Sequence, residues 1–385
     1  MMRTPKSLVC LSINKAIKKR IPTVKVMTIM GTRPEMIKLW STLKQLDEQQ
    51  NIEHIMAHTG QNYTPELKDF FFNDLELREP DYNLNIDVTS YGKEVADVIA
   101  KSDELFQKVK PDALLILGDT YSGLSVMPAA HHGIKIFHME AGLRAWDKRM
   151  PEQRNRRLID HMSDILLPFH AYHRENLIRE DIHPSKIIVT GNPTFEVMDA
   201  YQSQIDSSDI LNKLDLKKGE YIAVTAHRKE NVDDPVSLQK ILDALGTVYK
   251  KLNKEIVYPM HPRTKSKIDS FNIPEGLKII APLGFYDFNC LSKNAFCLMG
   301  DSGTTSEEGL YYKIPVVSLR KTTERYETVE AGAHIIAGIE TDDIVGAVET
   351  ITSLKWGARY DFNEDGFLPS NIVINAIRSN IKNYF

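Results

Sequence analysis

The chain has 385 residues, of which 42% are hydrophobic, 26% charged and 8% aromatic. This composition is typical of folded globular proteins and excludes disordered, collagen-like and coiled-coil chains. Lysine and arginine together number 48 and aspartate and glutamate 52, so the formal net charge is −4. We therefore expect two or three folded domains, and a protein that coats neither nucleic acid nor an anionic membrane.

Cysteine usage and the N-terminus indicate where the protein resides. Cys10, Cys290 and Cys297 form no CxxC pair, which argues against a disulfide framework or a structural zinc site and favours the reducing cytoplasm. No segment approaches the roughly 18 to 20 consecutive apolar residues that a membrane span needs. Residues 1–23 hold a short apolar run followed by basic residues. Because a secretory signal has the opposite order, we expect a basic extension ahead of the fold.

Short apolar runs rich in β-forming residues alternate with segments of helical period, which predicts parallel, doubly wound sheets. The strands predicted in the first half are 24–30, 52–58, 113–117, 135–139, 165–168 and 186–189. The strands predicted in the second half are 221–225, 255–259, 277–280, 295–299, 316–319 and 334–336. The helices predicted in the first half include 35–49, 65–72, 93–109 and 154–162. Because a polar stretch at 201–220 separates the two series, the sequence predicts two α/β domains of similar size.

Polar residues that follow the predicted strands are the candidate site residues, because ligands of open α/β sheets bind beyond the carboxyl ends of the strands. After the first strand, Thr32 and Glu35 have the spacing of a capping box. Arg33 and Lys38 add two cations near the start of that helix, where backbone N–H groups bind phosphate. Ordinary helix capping explains the same pattern equally well.

The segment from Asp301 to Glu308 repeats this arrangement in the second half. Its small residues, including Ser302 and Gly303, leave backbone N–H groups open to an anion, and Gly303 lets the backbone approach a ligand closely. Ordinary helix capping by Ser302 or Thr304 is the alternative explanation. Two such turns, one in each domain and facing a shared cleft, would suit a diphosphate.

Three acids lie at or near the predicted strand ends of the first half: Asp119, Glu140 and Glu152. A single acid in such a position is usually a helix cap. If the three converge on one cleft, burial and mutual repulsion raise some of their pKa values and fit them for proton transfer near neutral pH. In the second half His227 follows the strand 221–225, where its ring either packs in the core or faces the cleft.

Signatures of competing enzyme classes are absent from the sequence. No GxGxxG follows the first strand, and neither GxxxxGK[ST] nor HExxH occurs. These motifs carry the chemistry of dinucleotide oxidoreductases, P-loop NTPases and zinc proteases. We therefore expect none of these classes, and we assign no metal ion.

A series of short motifs occurs in order from about Val24 to beyond Gly332. The motifs are GTRPEMIK at 31–38, HTGQ at 58–61, GDT at 118–120, MEAGLR at 139–144, PE at 151–152, NR at 155–156, TGN at 190–192, AHR at 226–228, DSG at 301–303, EE at 307–308 and TTER at 322–325. In this order they resemble the motifs of the non-hydrolysing UDP-N-acetylglucosamine 2-epimerases.

The resemblance implies a glycosyltransferase-B-like fold, in which two Rossmann-like, doubly wound domains face a central cleft and a C-terminal helix returns to the first domain. We accordingly expect a first domain at 24–188 completed by 371–385, and a UDP-binding domain at 189–370. The resemblance also implies an isomerase that interconverts UDP-GlcNAc and UDP-ManNAc, eliminating UDP across C1 and C2 and adding it back, without a metal or redox cofactor. Family members typically form dimers, so a homodimer is expected.

Roles for individual residues follow from the same resemblance. Asp119, Glu140 and Glu152 are the acid/base candidates, and His227 joins the catalytic group beside the departing diphosphate. The substrate-binding candidates are Arg33, Lys38, Ser302 and Gly303 at the diphosphate, Glu308 at the ribose, Phe288 at the uracil, and Gln61, Arg144, Arg156 and Arg325 elsewhere in the cleft.

Two departures from the family pattern leave the sugar open. Residues 60–63 read GQNY, where many bacterial members have Gly-Gln-His and bind an activating second UDP-GlcNAc. The stretch between Glu140 and Glu152 is also shorter than in many members. Both features resemble a branch that acts on UDP-linked 6-deoxy-N-acetylhexosamines in capsule and O-antigen synthesis. The alternatives are this branch, a hydrolysing 2-epimerase, a glycosyltransferase of the same fold and a non-catalytic nucleotide-sugar sensor.

Overall fold

The computed structural model describes residues 23–60, 74–147, 150–260, 262–268, 270–354 and 367–382. These residues form two six-stranded sheets in which the paired strands run parallel. The predicted helix at 65–72, the site candidate Gln61 and residues 1–22 of the predicted extension lie outside the described residues.

The two sheets have the same topology. The first comprises β1 (Val24–Met30), β2 (Ile52–His58), β3 (Tyr82–Asn83), β4 (Ala113–Leu117), β5 (Lys135–Met139) and β6 (Ile165–Leu167). The second comprises β7 (Tyr221–Thr225), β8 (Glu255–Pro259), β9 (Leu277–Ile280), β10 (Cys297–Gly300), β11 (Val316–Ser318) and β12 (His334–Ile336). Their strand orders are β3-β2-β1-β4-β5-β6 and β12-β11-β10-β7-β8-β9. The order reverses between β1 and β4 and between β7 and β10, which is where such sheets bind ligands.

Helices connect the strands and cover the sheets. In the first half they are α1 (Arg33–Glu48), α2 (Tyr91–Val109), α3 (Val126–His131), α4 (Pro151–Met162) and α5 (Ala171–Arg179). In the sequence between the strands of the first sheet and those of the second lie α6 (Pro193–Ala200), α7 (Gln202–Asp206) and α8 (Ile210–Lys213). In the second half they are α9 (Lys229–Val232), α10 (Pro235–Leu252), α11 (Pro262–Ile268), α12 (Phe285–Lys293), α13 (Gly303–Tyr312), α14 (Tyr326–Glu330), α15 (Thr341–Ser353) and α16 (Pro369–Asn380). Short 3₁₀ helices occur at Tyr121–Ser125 and Pro184–Lys186.

The local sequence explains the tight turn between β1 and α1. All but one of the β1 residues are buried, as expected of a parallel strand covered on both faces. The helix begins at Arg33 because Thr32 is extended and Pro34 occupies the second helical position. The Glu35 carboxylate accepts from the Thr32 N–H at 2.7 Å, which is the predicted capping-box contact.

An apolar core lies against each sheet, and the core of the first sheet extends to Phe285 and Cys290 of α12. The core of the first sheet includes Leu43 of α1, and the C-terminal helix α16 packs on it through Val373 and Ile377. The core of the second sheet includes Leu245 of α10 and Val348 of α15. In the described part of the chain, no helix combines the length and the apolar character of a membrane span.

The predicted fold class is confirmed, and eleven of the twelve predicted strands occur within two residues of their predicted bounds. The strand predicted at 186–189 is wrong. A 3₁₀ helix occupies Pro184–Lys186, and the chain then meets β6 as an isolated bridge between Leu166 and Ile187, beside which the Ile188 N–H donates to the Leu166 carbonyl oxygen at 2.9 Å. β3 is not among the predicted strands, because two residues are too few to carry a periodic signal.

Candidate active site

Two facing sets of turns carry the candidate site residues. In the first half Asp119 follows β4 and Glu140 follows β5, while Lys38 reaches Glu140 from α1. In the second half residues 301–308 lead from β10 into α13. The two sets form one site, because Lys38 Nζ lies 3.2 Å from the carboxylate of Glu307 on α13.

Asp119 is a carboxyl group held by helix α4. Arg156 donates to the Asp119 carboxylate, and Asn155 Nδ2 donates to the Asp119 carbonyl oxygen at 3.2 Å. Burial raises the pKa of Asp119 to about 6; Arg156 opposes this shift, and the carboxylates of Glu140 and Glu152 add to it. A carboxyl group with this pKa can gain or lose a proton close to neutral pH.

Glu140 differs from Asp119 in that its pKa is lowered rather than raised. Its backbone has a φ of +64°, in the left-handed region that non-glycine residues rarely adopt and that is often found at functional sites. Its carboxylate lies 2.5 Å from Lys38 Nζ, 3.0 Å from the Arg325 guanidinium and 3.9 Å from Arg156. Burial alone would raise the pKa of Glu140, but Arg325, Lys38 and Arg156 hold it well below its usual range. Glu140 is therefore ionised at neutral pH, whereas a fraction of the Asp119 carboxyl groups remains protonated.

Glu307 completes a buried cluster of charges that joins the two halves of the chain. Its carboxylate lies 3.2 Å from Lys38 Nζ and 3.3 Å from the Arg325 guanidinium. Lys38, Arg325, Glu140 and Glu307 thus form two cations and two carboxylates in alternating contact, each almost fully buried. Glu307 is absent from the predicted site residues, although the EE motif contains it, because its cationic partner Lys38 comes from the other half.

Asp301 organises the turn that carries His227. It is fully buried, and its carboxylate accepts from the backbone N–H groups of His227 at 3.0 Å and Arg228 at 2.9 Å, and from Asn231 Nδ2 at 2.9 Å. The His227 side chain is half exposed and its Nδ1 lies 3.7 Å from Asp301. Asp301 also leads directly into Ser302, so one carboxylate joins the turns that follow β7 and β10.

The N-terminus of α13 has the features of an anion site. Ser302 caps the helix by accepting from the Thr304 N–H. At Gly303, a Cβ would lie 3.1 Å from the Glu324 carboxylate and 3.4 Å from Arg325 Nε. Glycine therefore lets the start of the helix approach these side chains closely. The N–H groups of the first turn and the helix dipole favour a bound phosphate at such a position.

Glu308 lies on the same helix as a buried carboxyl group. Burial raises the pKa of Glu308 to about 8; Glu307 adds to the shift and Arg33 opposes it. Burial lowers the pKa of Arg33, and Glu308 opposes that change. Glu308 Oε2 and Arg325 Nη1 are two of several buried side-chain atoms in the described residues that have no hydrogen-bond partner. A polar ligand would satisfy such groups.

Four predicted residues lie outside this group of contacts. The guanidinium of Arg144 is fully buried, 2.7 Å from Asp160 and 2.6 Å from Glu180. Burial lowers the pKa of Arg144, but these carboxylates raise it by more, so its contacts in this structure are structural and its ligand-binding role stays a prediction. Phe288 is half-buried on α12, and Glu152 lies in the first turn of α4, where its charge acts on Asp119. The fourth is Gln61, which lies beyond the described residues. Within the described ranges, no cluster of three or more His, Cys, Asp or Glu side chains could hold a metal ion.

Comparison with known proteins identifies the family. The profile described as UDP-N-acetylglucosamine 2-epimerase matches residues 44–363. The chain is 34% identical to the UDP-N-acetylglucosamine 2-epimerase of Methanococcus maripaludis, over 91% of this chain and 98% of the relative. It is 32% identical to the UDP-2,3-diacetamido-2,3-dideoxy-D-glucuronate 2-epimerase of Pseudomonas aeruginosa, over 85% of this chain and 92% of the relative.

A solved structure supports the same assignment. The UDP-GlcNAc 2-epimerase of Methanocaldococcus jannaschii, in complex with UDP-GlcNAc and UDP, matches with a TM-score of 0.86 and 33% identity, covering 92% of this chain and 100% of that one. The resemblance drawn from the sequence motifs is confirmed, and so is the glycosyltransferase-B-like fold. The chain therefore belongs to the UDP-N-acetylglucosamine 2-epimerase family of isomerases.

Proposed function

We propose that the protein interconverts UDP-GlcNAc and UDP-ManNAc by inverting the configuration at C2 of the sugar. The observation that carries this proposal is the pair formed by Asp119 and Glu140. They follow neighbouring strands, both face Arg156, and their pKa values are shifted in opposite directions. Two carboxyl groups arranged in this way can serve as acid and base in one reaction.

Glu140 is the proposed base. The C2 proton of the sugar is too weakly acidic to be removed alone, so its removal accompanies the departure of UDP. As Glu140 takes the proton, the electrons of the C2–H bond form a C1–C2 double bond, and the C1–O bond breaks with its electrons passing to the diphosphate. Arg33, Lys38, His227 and the start of α13 at Ser302 and Gly303 are the proposed diphosphate contacts, which stabilise the developing negative charge.

Asp119 is the proposed acid. It donates a proton to C2 from the face opposite Glu140 while the diphosphate oxygen forms a new bond to C1. In the reverse direction the two carboxyl groups exchange roles. Because Glu140 ends with a proton and Asp119 without one, each turnover requires proton exchange with solvent. Glu152 supports this role, since its charge raises the pKa of Asp119.

The remaining substrate contacts are also proposals. Glu308 suits the ribose hydroxyls, because one oxygen of this buried carboxyl group has no hydrogen-bond partner among the described residues. Phe288 and Gln61 keep the roles that the family resemblance implies, at the uracil and in the cleft. Arg325 and Arg156 lie beside Glu140, where they orient the base.

Incubation of the purified protein with UDP-GlcNAc as the only added sugar nucleotide tests the proposal. We expect UDP-ManNAc to appear until equilibrium is reached, with no acceptor and no net release of UDP. A glycosyltransferase would leave UDP-GlcNAc unchanged until an acceptor is added. A hydrolysing 2-epimerase would instead accumulate free ManNAc and UDP.

The second candidate is the same reaction on a different sugar. Relatives differ in the sugar they are named for, since the Pseudomonas aeruginosa relative is named for a UDP-linked diacetamido-dideoxyglucuronate rather than UDP-GlcNAc. The 6-deoxy-N-acetylhexosamines suggested by the sequence are the alternative for this chain. Measurement of kcat/KM for UDP-GlcNAc and for a UDP-6-deoxy-N-acetylhexosamine distinguishes them. UDP-GlcNAc should give the higher value if the proposal is correct.

We further propose that the protein is a cytoplasmic homodimer with domains at 24–188 plus 371–385 and at 189–370. The packing of α16 on α1 supports the return of the C-terminal segment to the first domain, and the core of the second sheet is formed within 189–370. UDP should draw the domains together and exclude water from the reacting sugar. Light scattering tests the dimer, and small-angle X-ray scattering that shows no compaction on adding UDP would count against closure.

A further inference from the structure

The turn that carries Asp119 is bonded to His138 on the neighbouring strand β5. Gly118, directly before Asp119, turns the chain with a φ of +77°. Its N–H donates to the Met139 carbonyl oxygen at 3.0 Å, and its own carbonyl oxygen lies 2.8 Å from His138 Nε2. The His138 side chain is fully buried. Both backbone groups of Gly118 are thus held by β5.

The other nitrogen of the His138 ring contacts a carboxylate. His138 Nδ1 lies 2.8 Å from Oδ1 of Asp160, which is fully buried on α4. The second carboxylate oxygen of Asp160 accepts from the Gly142 N–H at 3.2 Å and lies 2.7 Å from Arg144 Nη2. The ring therefore bridges the Gly118 turn and the helix α4.

The hydrogen-bonding capacity of these groups determines where the protons lie. A carbonyl oxygen and a carboxylate oxygen can only accept, and a neutral imidazole has one N–H. Both contacts of His138 are therefore hydrogen bonds only if both ring nitrogens carry protons. Burial raises the pKa of Asp160, but His138 and Arg144 lower it by more, so Asp160 is a carboxylate.

The surrounding charges are compatible with a buried cation. Asp160 faces His138 directly, and Arg144 is shared between Asp160 and Glu180. On its outer side Glu180 also contacts Arg157 at 3.2 Å and the partly exposed His161 at 3.5 Å. The direct counter-charge for a doubly protonated His138 ring is therefore the fully buried Asp160 carboxylate, which the ring shares with Arg144.

We propose that His138 is a positioning residue, protonated on both ring nitrogens, that fastens the Gly118–Asp119 turn to helix α4 through Asp160. The same helix supplies Arg156 and Asn155, which donate to Asp119 itself. Asp119 is thus oriented from its side chain and from the preceding peptide by one helix. The catalytic consequence rests on the proposed function; the protonation state of the ring does not.

Nitrogen-15 NMR of the histidine rings in the full-length protein at pH 7 tests the protonation state. We expect both His138 nitrogens to give the signals of protonated nitrogen, with the resonances assigned by their loss in His138→Gln. In Asp160→Asn the amide can donate to Nδ1 while its oxygen accepts from Gly142 and Arg144, so the ring should become neutral there with Nδ1 unprotonated. An unprotonated His138 nitrogen in the wild-type protein at pH 7 overturns the proposal.

Kinetics test the positioning role. His138→Leu removes both bonds, so kcat should fall by about 100-fold, the cost of a misplaced catalytic group, while UDP affinity measured by calorimetry stays within about twofold because the second-half turns do not touch His138. His132→Gln is the matched control, since His132 is partly exposed and pairs with Asp103. It should leave both quantities unchanged.

Asp160→Asn keeps the test decisive if His138→Leu does not fold. This variant preserves the Gly118 bond, so we expect it to retain kcat within about tenfold of the wild-type value. A folded His138→Leu protein with wild-type kcat, or an Asp160→Asn protein that loses activity as severely as expected for His138→Leu, would overturn the positioning role. A wild-type protein that epimerises no UDP-N-acetylhexosamine would contradict the proposed function and leave the NMR result to decide the state of His138.

Discussion

Asp119 and Glu140 follow the neighbouring strands β4 and β5, and both carboxyl groups face the guanidinium of Arg156. Only Glu140 has two further cations within 3.0 Å, Lys38 and Arg325. The difference in cationic partners explains why the pKa of Asp119 is raised while that of Glu140 is lowered. Two groups of the same chemistry thereby have pKa values shifted in opposite directions, so Asp119 holds its proton to a higher pH than Glu140 does.

Replacement of Asp119 should separate the two halves of the reaction. In Asp119→Asn the ionised Glu140 can still start the elimination, but the proton donor for the opposite face is lost. We expect UDP-ManNAc formation to fall by about 10² to 10⁴-fold, while UDP and the unsaturated sugar become detectable by NMR. Asp103→Asn, at a partly exposed site on α2, is the control. Wild-type rates of epimer formation in Asp119→Asn would contradict the assignment.

Replacement of Glu140 should affect both chemistry and stability. Glu140→Gln removes the base, so neither epimer nor unsaturated sugar should form. It also leaves Lys38 and Arg325 buried with Glu307 as their shared carboxylate, and breaking a buried ion pair typically costs about 3 to 5 kcal/mol of unfolding free energy. Urea denaturation measures this loss.

The control for Glu140→Gln is Glu349→Gln, which breaks the exposed pair with Lys251. Exposed pairs contribute at most about 1 kcal/mol, so this variant should unfold close to the wild-type midpoint. Equal stability of the two variants would show that the buried cluster does not hold the two halves together.

The pKa of Glu308 predicts how stability depends on pH. The folded value of about 8 lies above the ordinary value of 4.5, so the folded protein binds more protons than the unfolded chain between these values. The stability that this group contributes is complete below about 4.5 and is lost as the pH rises through about 8. Glu308→Gln should remove this dependence, so the variant should gain stability relative to wild type between pH 5 and pH 8. Urea denaturation at several pH values measures the unfolding free energy of both proteins. The same change of this free energy with pH in the two proteins would contradict the prediction.

Gly142 offers a test of packing behind the site. Its φ is +79°, and an added Cβ would lie 2.3 Å from the His173 carbonyl oxygen. Gly219 has a similar φ of +74° but nothing within 4 Å of an added Cβ. Gly219→Ala should therefore lower the free energy of unfolding only by the backbone strain, about 1 to 2 kcal/mol. Gly142→Ala should lower it by clearly more. Thermal denaturation compares the two, and equal losses would show that the contact with His173 is relieved without cost.

The sequence could predict elements whose causes are local. The buried strands, the capping box at Thr32 and Glu35 and the polar turns after the strands follow from periodicity and spacing. The pairing of Lys38 with Glu307 could not be predicted, because it depends on how the two sheets face each other. Arg144 lies in a ligand-like motif, yet its partners Asp160 and Glu180 come from helix α4 and the end of α5, which its own segment does not reveal.

Proton NMR of UDP-GlcNAc in deuterated water tests the central claim most directly, because epimerisation through Glu140 and Asp119 must exchange the C2 proton with solvent. We expect deuterium at C2 of both UDP-GlcNAc and UDP-ManNAc with wild-type protein, and none with Glu140→Gln. UDP-GlcNAc that binds to the wild-type protein yet keeps its C2 proton and its configuration would contradict the proposal.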